Sequence, residues 1–231
     1  MVRESVKDFY DRIYRSHHEQ RTACPHSLHD LAKAQRRVSG AIRGFGIQNC
    51  GPGGRILDVG SGLGYYTKAL SLTGASVTGI DFSEAAIETA KATFSDCQFS
   101  HGAWPDDVPA DPKFDLIWTI NFSFINTFDV DFIQQRLVSE AMLRLKPGGC
   151  LVIGWNTDFS GRTVGNYSLW PLGMLREMRQ TCGLSAPLVI ESRNSMLSWF
   201  MIRAALMLRR SIPIFMVRRK PSVLCHQPSV I

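Results

Sequence analysis

Short apolar runs of strand length alternate with amphipathic segments of helical length through the middle of this chain. The strand-like runs cover residues 56–59, 76–81, 98–101, 114–120 and 150–155. Helical spacing covers residues 66–72, 84–93 and 130–145, and Ser83 is placed to cap the second of these helices. Because strand and helix alternate, the pattern predicts an α/β, doubly wound fold with a mostly parallel sheet and right-handed crossovers.

Further elements are predicted on both sides of this alternation. Apolar positions four apart predict helices over residues 2–19 and 27–45. After Trp155, residues 156–170 have the polar, aromatic and glycine-bearing composition of an active-site loop. Helices are then predicted at 172–182 and 196–208, and strands at 188–191 and 212–218.

Composition indicates one globular domain of 231 residues, and a hydrophobic content of 45% argues against disorder. The N-terminus has no apolar signal core, and no apolar run reaches the roughly 18 residues that a membrane span needs. We therefore expect a cytoplasmic protein. The six cysteines form no C-x-x-C pair, so free thiols are expected.

The net charge of +6 is unevenly distributed along the chain. No acid follows Glu191, whereas seven bases do. Such a basic end suits a membrane surface, an acidic substrate or a nucleic acid, and it also suits a solvated basic face. The apolar segment 196–208, followed by Arg209 and Arg210, can lie on a membrane surface, cap a pocket, form a dimer face or be a simple buried helix.

The first strand runs into closely spaced glycines at a helix start, which is the sequence pattern of a ligand cradle. A dinucleotide site requires a third glycine three places after the second, but Tyr65 occupies that position after Gly62. Asp58 lies two places before the first glycine, where a carboxylate suits an ammonium group better than a pyrophosphate. Asp81 ends the second strand, where it can accept both hydroxyls of a ribose, as acids in NAD sites also do.

The stretch 58–64 matches, at every specified position, the pattern Asp/Glu-x-Gly-x-Gly-x-Gly. It resembles motif I of the class I, Rossmann-like methyltransferases that use S-adenosyl-L-methionine. Further motifs of that family are resembled, in the same order and spacing, at 77–83, 114–118, 145–153 and 212–221. The resemblance implies a seven-stranded sheet with an antiparallel last strand, an S-adenosylmethionine cofactor and a small-molecule acceptor.

The resemblance also implies the roles of individual residues. The methionine half of the cofactor would face the glycine turn with Asp58 near its ammonium group, and Asp81 would bind the ribose. The loop after the third strand would pack on the adenine. Relatives often carry an Asp after the Gly of this loop, where its carboxylate binds the adenine amine. In this chain Ala103 follows Gly102, so backbone groups of Ala103 and stacking by Trp104 are expected to substitute for that carboxylate. The full set of expected cofactor residues is Asp58, Gly60, Ser61, Gly62, Gly64, Asp81, Phe82, Gly102, Ala103, Trp104, Ile120, Asn121, Tyr10 and Tyr14.

The last two of these residues belong to a predicted helical lid. We expect residues 1–48 to form this lid as part of one domain, 49–221 to form the methyltransferase domain with a substrate-capping insertion at about 156–210, and 222–231 to form a tail. The histidines and the cysteine between positions 17 and 29 match no standard zinc spacing, so no metal site is predicted.

No catalytic residue is identified by the sequence. A sulfonium is already an activated donor, so the protein mainly has to align the reactants and exclude water. If the acceptor needs a base, the candidates are His101, His26, His29 and Asp158, and for His101 a loop or packing role is favoured. The aromatics Phe122, Phe124, Trp155, Phe159, Tyr167 and Trp170 favour, as a group, an acceptor of apolar or ring character.

The prediction is therefore methyl transfer to an O, N or C atom of a small molecule. No proline follows Asn121, which counts against the family's enzymes that methylate exocyclic base amines. Two alternatives stay open: an RNA or other polyanion as acceptor, and a non-catalytic cofactor-binding partner subunit. A nucleotide-sugar or NAD enzyme of similar fold is the weaker third alternative, because position 65 lacks the glycine.

Overall fold

A computed structural model of the chain describes residue 12 and residues 26–164, 167–189, 195–208 and 212–222. Its main sheet has six strands in the order β3-β2-β1-β4-β5-β8, and all neighbours are parallel except β5 and β8. The strands are β1 (Arg55–Val59), β2 (Ser76–Asp81), β3 (Gln98–His101), β4 (Phe114–Ile120), β5 (Leu145–Thr157), β6 (Thr163–Val164), β7 (Tyr167–Ser168) and β8 (Ile212–Arg219), of which β6 and β7 form a separate hairpin in the loop after β5.

The predicted helices within the described residues are confirmed, most to within one or two positions. They are α1 (His26–Phe45), α2 (Tyr65–Ser71), α3 (Glu84–Thr93), α4 (Val130–Ile133), α5 (Glu140–Arg144), α6 (Leu172–Thr181) and α7 (Ser195–Leu208). The single helix predicted over 130–145 is divided, because a π-helical turn, Gln134–Ser139, joins α4 to α5. The helix predicted over 2–19 lies outside the described residues, apart from Arg12.

The prediction of a seventh strand in the main sheet needs correction for the described part of the chain. The segment predicted as a strand from residue 188 makes a single antiparallel bridge, in which Leu188 pairs with Phe215. Pro187 has no N–H to donate, so a regular ladder is interrupted beside it. Ser185 partly compensates, since its Oγ accepts a hydrogen bond from Val217 N at 3.1 Å, where a strand would offer a carbonyl oxygen.

Alternate residues of each central strand pack into different layers of the core, as the two-residue period requires. Leu57 and Val59 of β1 pack with the α4–α5 helix and α6, whereas Ile56 packs with α1 and α2. Within α1, Ala34 and Val38 are buried. The described part of the predicted lid is therefore a layer of the fold, and the carboxyl ends of β1, β2 and β4 stay open between the two helical layers.

Candidate functional site

A cavity of about 500 Å³ lies outside the carboxyl ends of β1, β2, β3 and β4. In open α/β sheets, ligands bind at this edge where the strand order reverses, which here is between β1 and β4. The volume is in the range of small-molecule and cofactor sites. The lining residues are Gly60, Ile80, Asp81, Phe82, His101, Gly102, Ala103, Trp104, Asp107, Phe122, Ser123 and Phe124.

The predicted glycine turn between β1 and α2 reaches the cavity through Gly60, whereas Ser61, Gly62 and Gly64 are not lining residues. Gly60, Gly62 and Gly64 have φ angles of 72°, 50° and 83°, a region that favours glycine. A Cβ at Gly60 would lie 2.8 Å from Cδ2 of Phe122, and one at Gly64 would lie 2.6 Å from Cζ of Phe99. The turn therefore needs glycine both for its backbone conformation and for the space next to it.

Asp81 fixes the glycine turn to the end of β2. It is 5% exposed, and its two oxygens accept hydrogen bonds from the N–H groups of Gly62 and Ser83, each at 2.9 Å. Its position on the cavity wall is the one expected of a ribose-binding acid.

Asp58 lies beneath the turn and is not one of the residues that line the cavity. Its carboxylate is 1% exposed and accepts a 2.7 Å hydrogen bond from Oγ1 of Thr67 in α2. Burial raises the pKa of Asp58 to about 7, with a contribution from the nearby charge of Asp81 and against the opposing effect of Thr67. Its influence on a ligand in the cavity is therefore electrostatic rather than by direct contact.

The loop after β3 forms the cavity wall opposite the aromatic side. The Trp104 indole N–H donates to the carbonyl oxygen of Arg136 at 2.8 Å, and the Arg144 guanidinium lies 5.2 Å from the Trp104 ring centroid. Ala103 does not offer its N–H to the cavity, because that group donates to Oδ2 of Asp107 at 2.8 Å. Asp107 was not predicted from the sequence. The sequence contains the adjacent pair Asp106 and Asp107, but it does not show which of the two carboxylates faces the cavity.

Two phenylalanines after β4 form the aromatic wall. Phe122 and Phe124 have ring centroids 4.6 Å apart, and Phe124 also packs edge-on against Phe132 at 4.9 Å. Ile120 and Asn121, which were expected at the cofactor, are not lining residues. Ile120 packs on the α1–α2 side, and Oδ1 of Asn121 accepts from both N and Nδ2 of Asn156.

Arg37 is a second functional candidate that sequence reasoning missed. It is 8% exposed, and it donates to the Tyr66 hydroxyl at 2.9 Å and to Oδ1 of Asn156 at 3.4 Å. Within the described part of the chain, no carboxylate forms an ion pair with it. The sequence pattern that could have predicted its burial is an arginine next to an apolar stripe, since Ala34 and Val38 flank it on the buried side of α1.

The four candidate bases fall in different places. His101 is exposed at the cavity wall, with Nε2 3.0 Å from the carbonyl oxygen of Phe82. Asp158 is buried away from the cavity and pairs with Arg162 at 2.9 Å. Burial acts to raise the pKa of Asp158, but hydrogen bonds from Ser160 and Arg162 outweigh it and hold this pKa below its ordinary value. His26 and His29 lie in α1 with side chains outside the described part, and Tyr10 and Tyr14 lie outside it entirely.

Most of the predicted aromatic group belongs to the core. Trp155, Phe159 and Trp170 are buried, and the Trp170 N–H donates to the Ile125 carbonyl at 2.6 Å, while the Tyr167 side chain is outside the described part. Among described residues, no group of three His, Cys, Asp or Glu side chains could hold a metal ion, and Cys50, Cys97, Cys150 and Cys182 carry free thiols. None of the helices described here has the length and apolarity to cross a membrane.

The strand order, the glycine turn and the acid at the end of β2 define a doubly wound α/β protein with a site for an adenosine-bearing ligand. A family described as "methyltransferase domain" matches residues 56–149, which span this turn and the cavity walls. The match covers 94 of the 231 residues and shows that this region is similar to a methyltransferase domain.

Several curated methyltransferases match part of this chain. The demethylmenaquinone methyltransferase of Tropheryma whipplei is 36% identical over 105 residues, which is 44% of this chain and 41% of that protein. The ribosomal RNA small subunit methyltransferase C of Chromohalobacter salexigens is 36% identical over 104 residues, 44% of this chain and 31% of that protein. The matches thus span less than half of the length of these curated relatives.

Similarity of fold extends further than similarity of sequence. The structure of an S-adenosylmethionine-dependent methyltransferase from Clostridium acetobutylicum superposes with a TM-score of 0.59 at 12% identity, covering 91% of this chain and 98% of that one. At this identity the likeness describes the fold alone. The site must therefore be interpreted from this chain's own residues.

Proposed function

We propose that this protein transfers the methyl group of S-adenosylmethionine to an oxygen, nitrogen or carbon atom of a small molecule with apolar or ring character. The observation that carries the proposal is one cavity that joins a glycine turn and a ribose-type acid to an aromatic wall. Gly60, Asp81, Phe122 and Phe124 all line it, and Phe122 packs next to Gly60.

The residues present fit the cofactor. The glycine turn gives close backbone access for the amino acid half, Asp81 and Phe82 border the ribose, and Trp104 offers a ring face for adenine. The Ser61 hydroxyl, which has no hydrogen-bond partner among the described residues, lies next to Gly79 of β2 and not on the cavity wall. The cofactor supplies an activated methyl group, so the protein has to position the acceptor and exclude water.

Arg37 is suited to hold the carboxylate of the methionine half. A buried guanidinium without an anion is unfavourable, so an anionic ligand would offset its desolvation. Its two polar neighbours, Tyr66 of α2 and Asn156 of β5, orient it, although Arg37 lines the groove on α1 and is not a lining residue of the cavity. Asn121 would then act by holding Asn156 rather than by touching the cofactor.

Among the described residues, the cavity lining includes one histidine, which is at the end of β3 next to Phe82. His101 is the histidine at the cavity, and one of its ring nitrogens is within hydrogen-bond distance of a carbonyl oxygen. That contact orients the ring and favours an acceptor that needs little help from a base, such as an amine or an acidic oxygen. We propose that the segment 156–210 caps the acceptor.

The test combines binding and turnover. Calorimetry with S-adenosylhomocysteine measures the cofactor site, and transfer from methyl-labelled S-adenosylmethionine to hydroxynaphthoquinols, aryl amines and carboxylic acids measures the acceptor. We expect binding together with labelling of at least one ring-bearing acceptor. Binding without transfer to any of them would favour the non-catalytic partner subunit, and absence of binding would contradict the proposal.

An apolar acceptor also suits the exposed face of α7, which we assign to an anionic bilayer surface. Phe200, Met207 and Leu208 are 69%, 84% and 65% exposed, and Arg203 is exposed between them. Two arginines follow the helix directly in sequence, and no acid follows Glu191, so the charge complements anionic lipids.

Flotation with phosphatidylglycerol vesicles tests this surface. The double variant Phe200→Ser/Met207→Ser should lose most vesicle binding, because each side chain contributes apolar area to the contact. Leu143→Ser is the control, since Leu143 is also a largely exposed apolar side chain, at 59%, but lies on α5. If both variants bind the vesicles equally well, the face does not bind lipid. If the wild type forms a concentration-dependent dimer that only the double variant loses, the face is a dimer interface.

One observation favours RNA as the second candidate acceptor. A surface groove on α1 is lined by the exposed bases Lys33, Arg36 and Arg43, and one relative is a ribosomal RNA methyltransferase. Binding of structured RNA that weakens steeply with salt, together with methyl transfer to it, would support that candidate. Binding without transfer would leave the small-molecule proposal in place.

A further inference from the structure

The bases of α1 form a second candidate site, which is separate from the cavity. They line a groove of about 520 Å³ on this helix, called here the α1 groove, and its charged lining residues are Lys33, Arg36, Arg37 and Arg43. The other lining residues in the described part of the chain are uncharged, and none of the residues of the α1 groove lines the cavity. We propose that the α1 groove binds the phosphate or diphosphate group of a small molecule.

The four bases share one face of α1 because of their spacing. Positions 33, 36, 37 and 43 follow the helical period of three to four residues. The first and the last of them are about 15 Å apart along a helix axis, and no acid lies between them in the sequence. Like charges at this spacing disfavour a helix, so helix formation does not explain the cluster. A bound anion would offset the repulsion.

No carboxylate of the described structure neutralises these charges. Lys and Arg side chains on other elements pair with Asp or Glu. In contrast, Lys33, Arg36 and Arg43 are exposed, and none of them forms an ion pair within the described residues. The α1 groove is therefore a region of uncompensated positive charge, which attracts anions.

The burial of Arg37 distinguishes the α1 groove from a solvated basic face. Arg37 is only 8% exposed, yet it lines the groove. Its guanidinium donates to two uncharged groups, the Tyr66 hydroxyl at 2.9 Å and Oδ1 of Asn156 at 3.4 Å. A guanidinium has five N–H donors, so donors remain for a ligand. An anion that enters the groove would offset the desolvation of this charge.

The size and the donors of the α1 groove suit a phosphate on a small molecule. Its volume lies in the range of small-molecule sites. Arginine binds phosphate oxygens in a bidentate manner, and lysine adds a point charge. A terminal phosphate group can enter the groove as far as the buried Arg37, whereas the backbone of a folded RNA can contact only the exposed bases around it. A small phosphorylated ligand is therefore favoured over RNA at this place.

A pair of double variants tests the proposal without altering Arg37. Arg36→Gln/Arg43→Gln removes two exposed charges from the α1 groove. Arg176→Gln/Arg179→Gln is the matched control, because it removes two exposed arginines from α6. Calorimetry on the full-length protein at physiological ionic strength measures the affinity for inorganic pyrophosphate, and the thermal midpoints show whether both variants are folded.

The wild type and the α6 variant should bind pyrophosphate with affinities within about twofold of each other. The groove variant should bind it at least about tenfold more weakly, because charge-assisted hydrogen bonds are lost. Absence of binding by the wild type, or an equal loss in the two variants, would overturn the proposal. Structured RNA that binds the wild type and is not displaced by pyrophosphate would instead assign the groove to nucleic acid.

This inference does not depend on the cofactor or on the acceptor. The affinity for S-adenosylhomocysteine should be the same in the wild type and in both double variants. If the wild type fails to bind S-adenosylhomocysteine, the proposed function is contradicted but the pyrophosphate result is unaffected.

Two sources of the phosphate share this chemistry, and a turnover assay distinguishes them. Competition between pyrophosphate and the acceptor would assign the groove to a phosphorylated acceptor. An unchanged KM for the acceptor in the presence of pyrophosphate would assign it to a separate phosphorylated ligand. The weaker pyrophosphate binding of the groove variant is expected for both sources, so its absence contradicts the site itself.

Discussion

Replacing Asp58 with Asn should stabilise the ligand-free protein, and the gain should increase with pH. Burial keeps the pKa of Asp58 at about 7 in the folded state, from an ordinary value of 3.8. Between these two values the folded chain retains a proton that the unfolded chain releases. The contribution of this group to stability is therefore greatest below pH 4 and is lost as pH rises toward 7.

The magnitude follows from the size of the shift. A shift of about three pKa units corresponds to about 4 kcal/mol of unfolding free energy, and at pH 8 the wild type has lost all of this contribution. At pH 5, only about one pH unit above the ordinary pKa, it has lost about 1.5 kcal/mol. Asn at position 58 has nearly the shape of the protonated acid and can still accept from Thr67. Asp58→Asn should therefore exceed the wild type by about 4 kcal/mol at pH 8 and by only about 1.5 kcal/mol at pH 5.

Urea unfolding followed by tryptophan fluorescence at pH 5, 6, 7 and 8 measures this difference. Asp111→Asn is the control, because Asp111 is largely exposed and its removal should leave the pH dependence unchanged. Parallel stability curves for wild type and Asp58→Asn, or a variant that is less stable at pH 8, would refute the reasoning.

Three further substitutions test the site and its support. Arg37→Met should weaken S-adenosylhomocysteine binding about tenfold but leave the decarboxylated analogue within about threefold in calorimetry; equal losses would remove the carboxylate role. Gly64→Ala should cost ~2 kcal/mol or more in urea unfolding, because its Cβ meets Phe99, whereas Gly46→Ala, also at positive φ but in open space, should cost ~1 kcal/mol. Arg144→Met should lower the unfolding free energy by ~2 kcal/mol, since two buried carbonyl oxygens lose their donor; an unchanged thermal midpoint would contradict this.

The sequence was sufficient for what depends on local pattern. Alternating strand and helix periods predicted the sheet, and the glycine spacing with Asp58 and Asp81 predicted where its ligand edge lies. These features are local because a strand, a glycine turn and a helix cap each depend on a few neighbouring residues. The right-handed crossovers limit the possible strand orders, and the structure supplies the order itself.

What the sequence did not predict depends on contacts between distant segments. Arg37 is 119 positions from Asn156, and only the packing of α1 against α2 and β5 brings them together. The predicted strand at residue 188 was reduced to one bridge because Pro187 interrupts the ladder. Asp107 was missed because a four-residue fold-back, rather than position in the motif, places its carboxylate at Gly102.

Arg37 and Asp58 are buried ionisable side chains of opposite type, and adjacent residues of α2 hold them. Tyr66 accepts from the Arg37 guanidinium, and Thr67 donates to the Asp58 carboxylate. No ion pair joins the two charges in the described structure, so each carries its desolvation cost separately. A free amino acid tail has an ammonium and a carboxylate on one carbon, which is the complementary arrangement. The stability that Asp58 costs near neutral pH is thus consistent with a site arranged for such a zwitterion, and the arrangement would explain why an acid is kept where an amide would fold better.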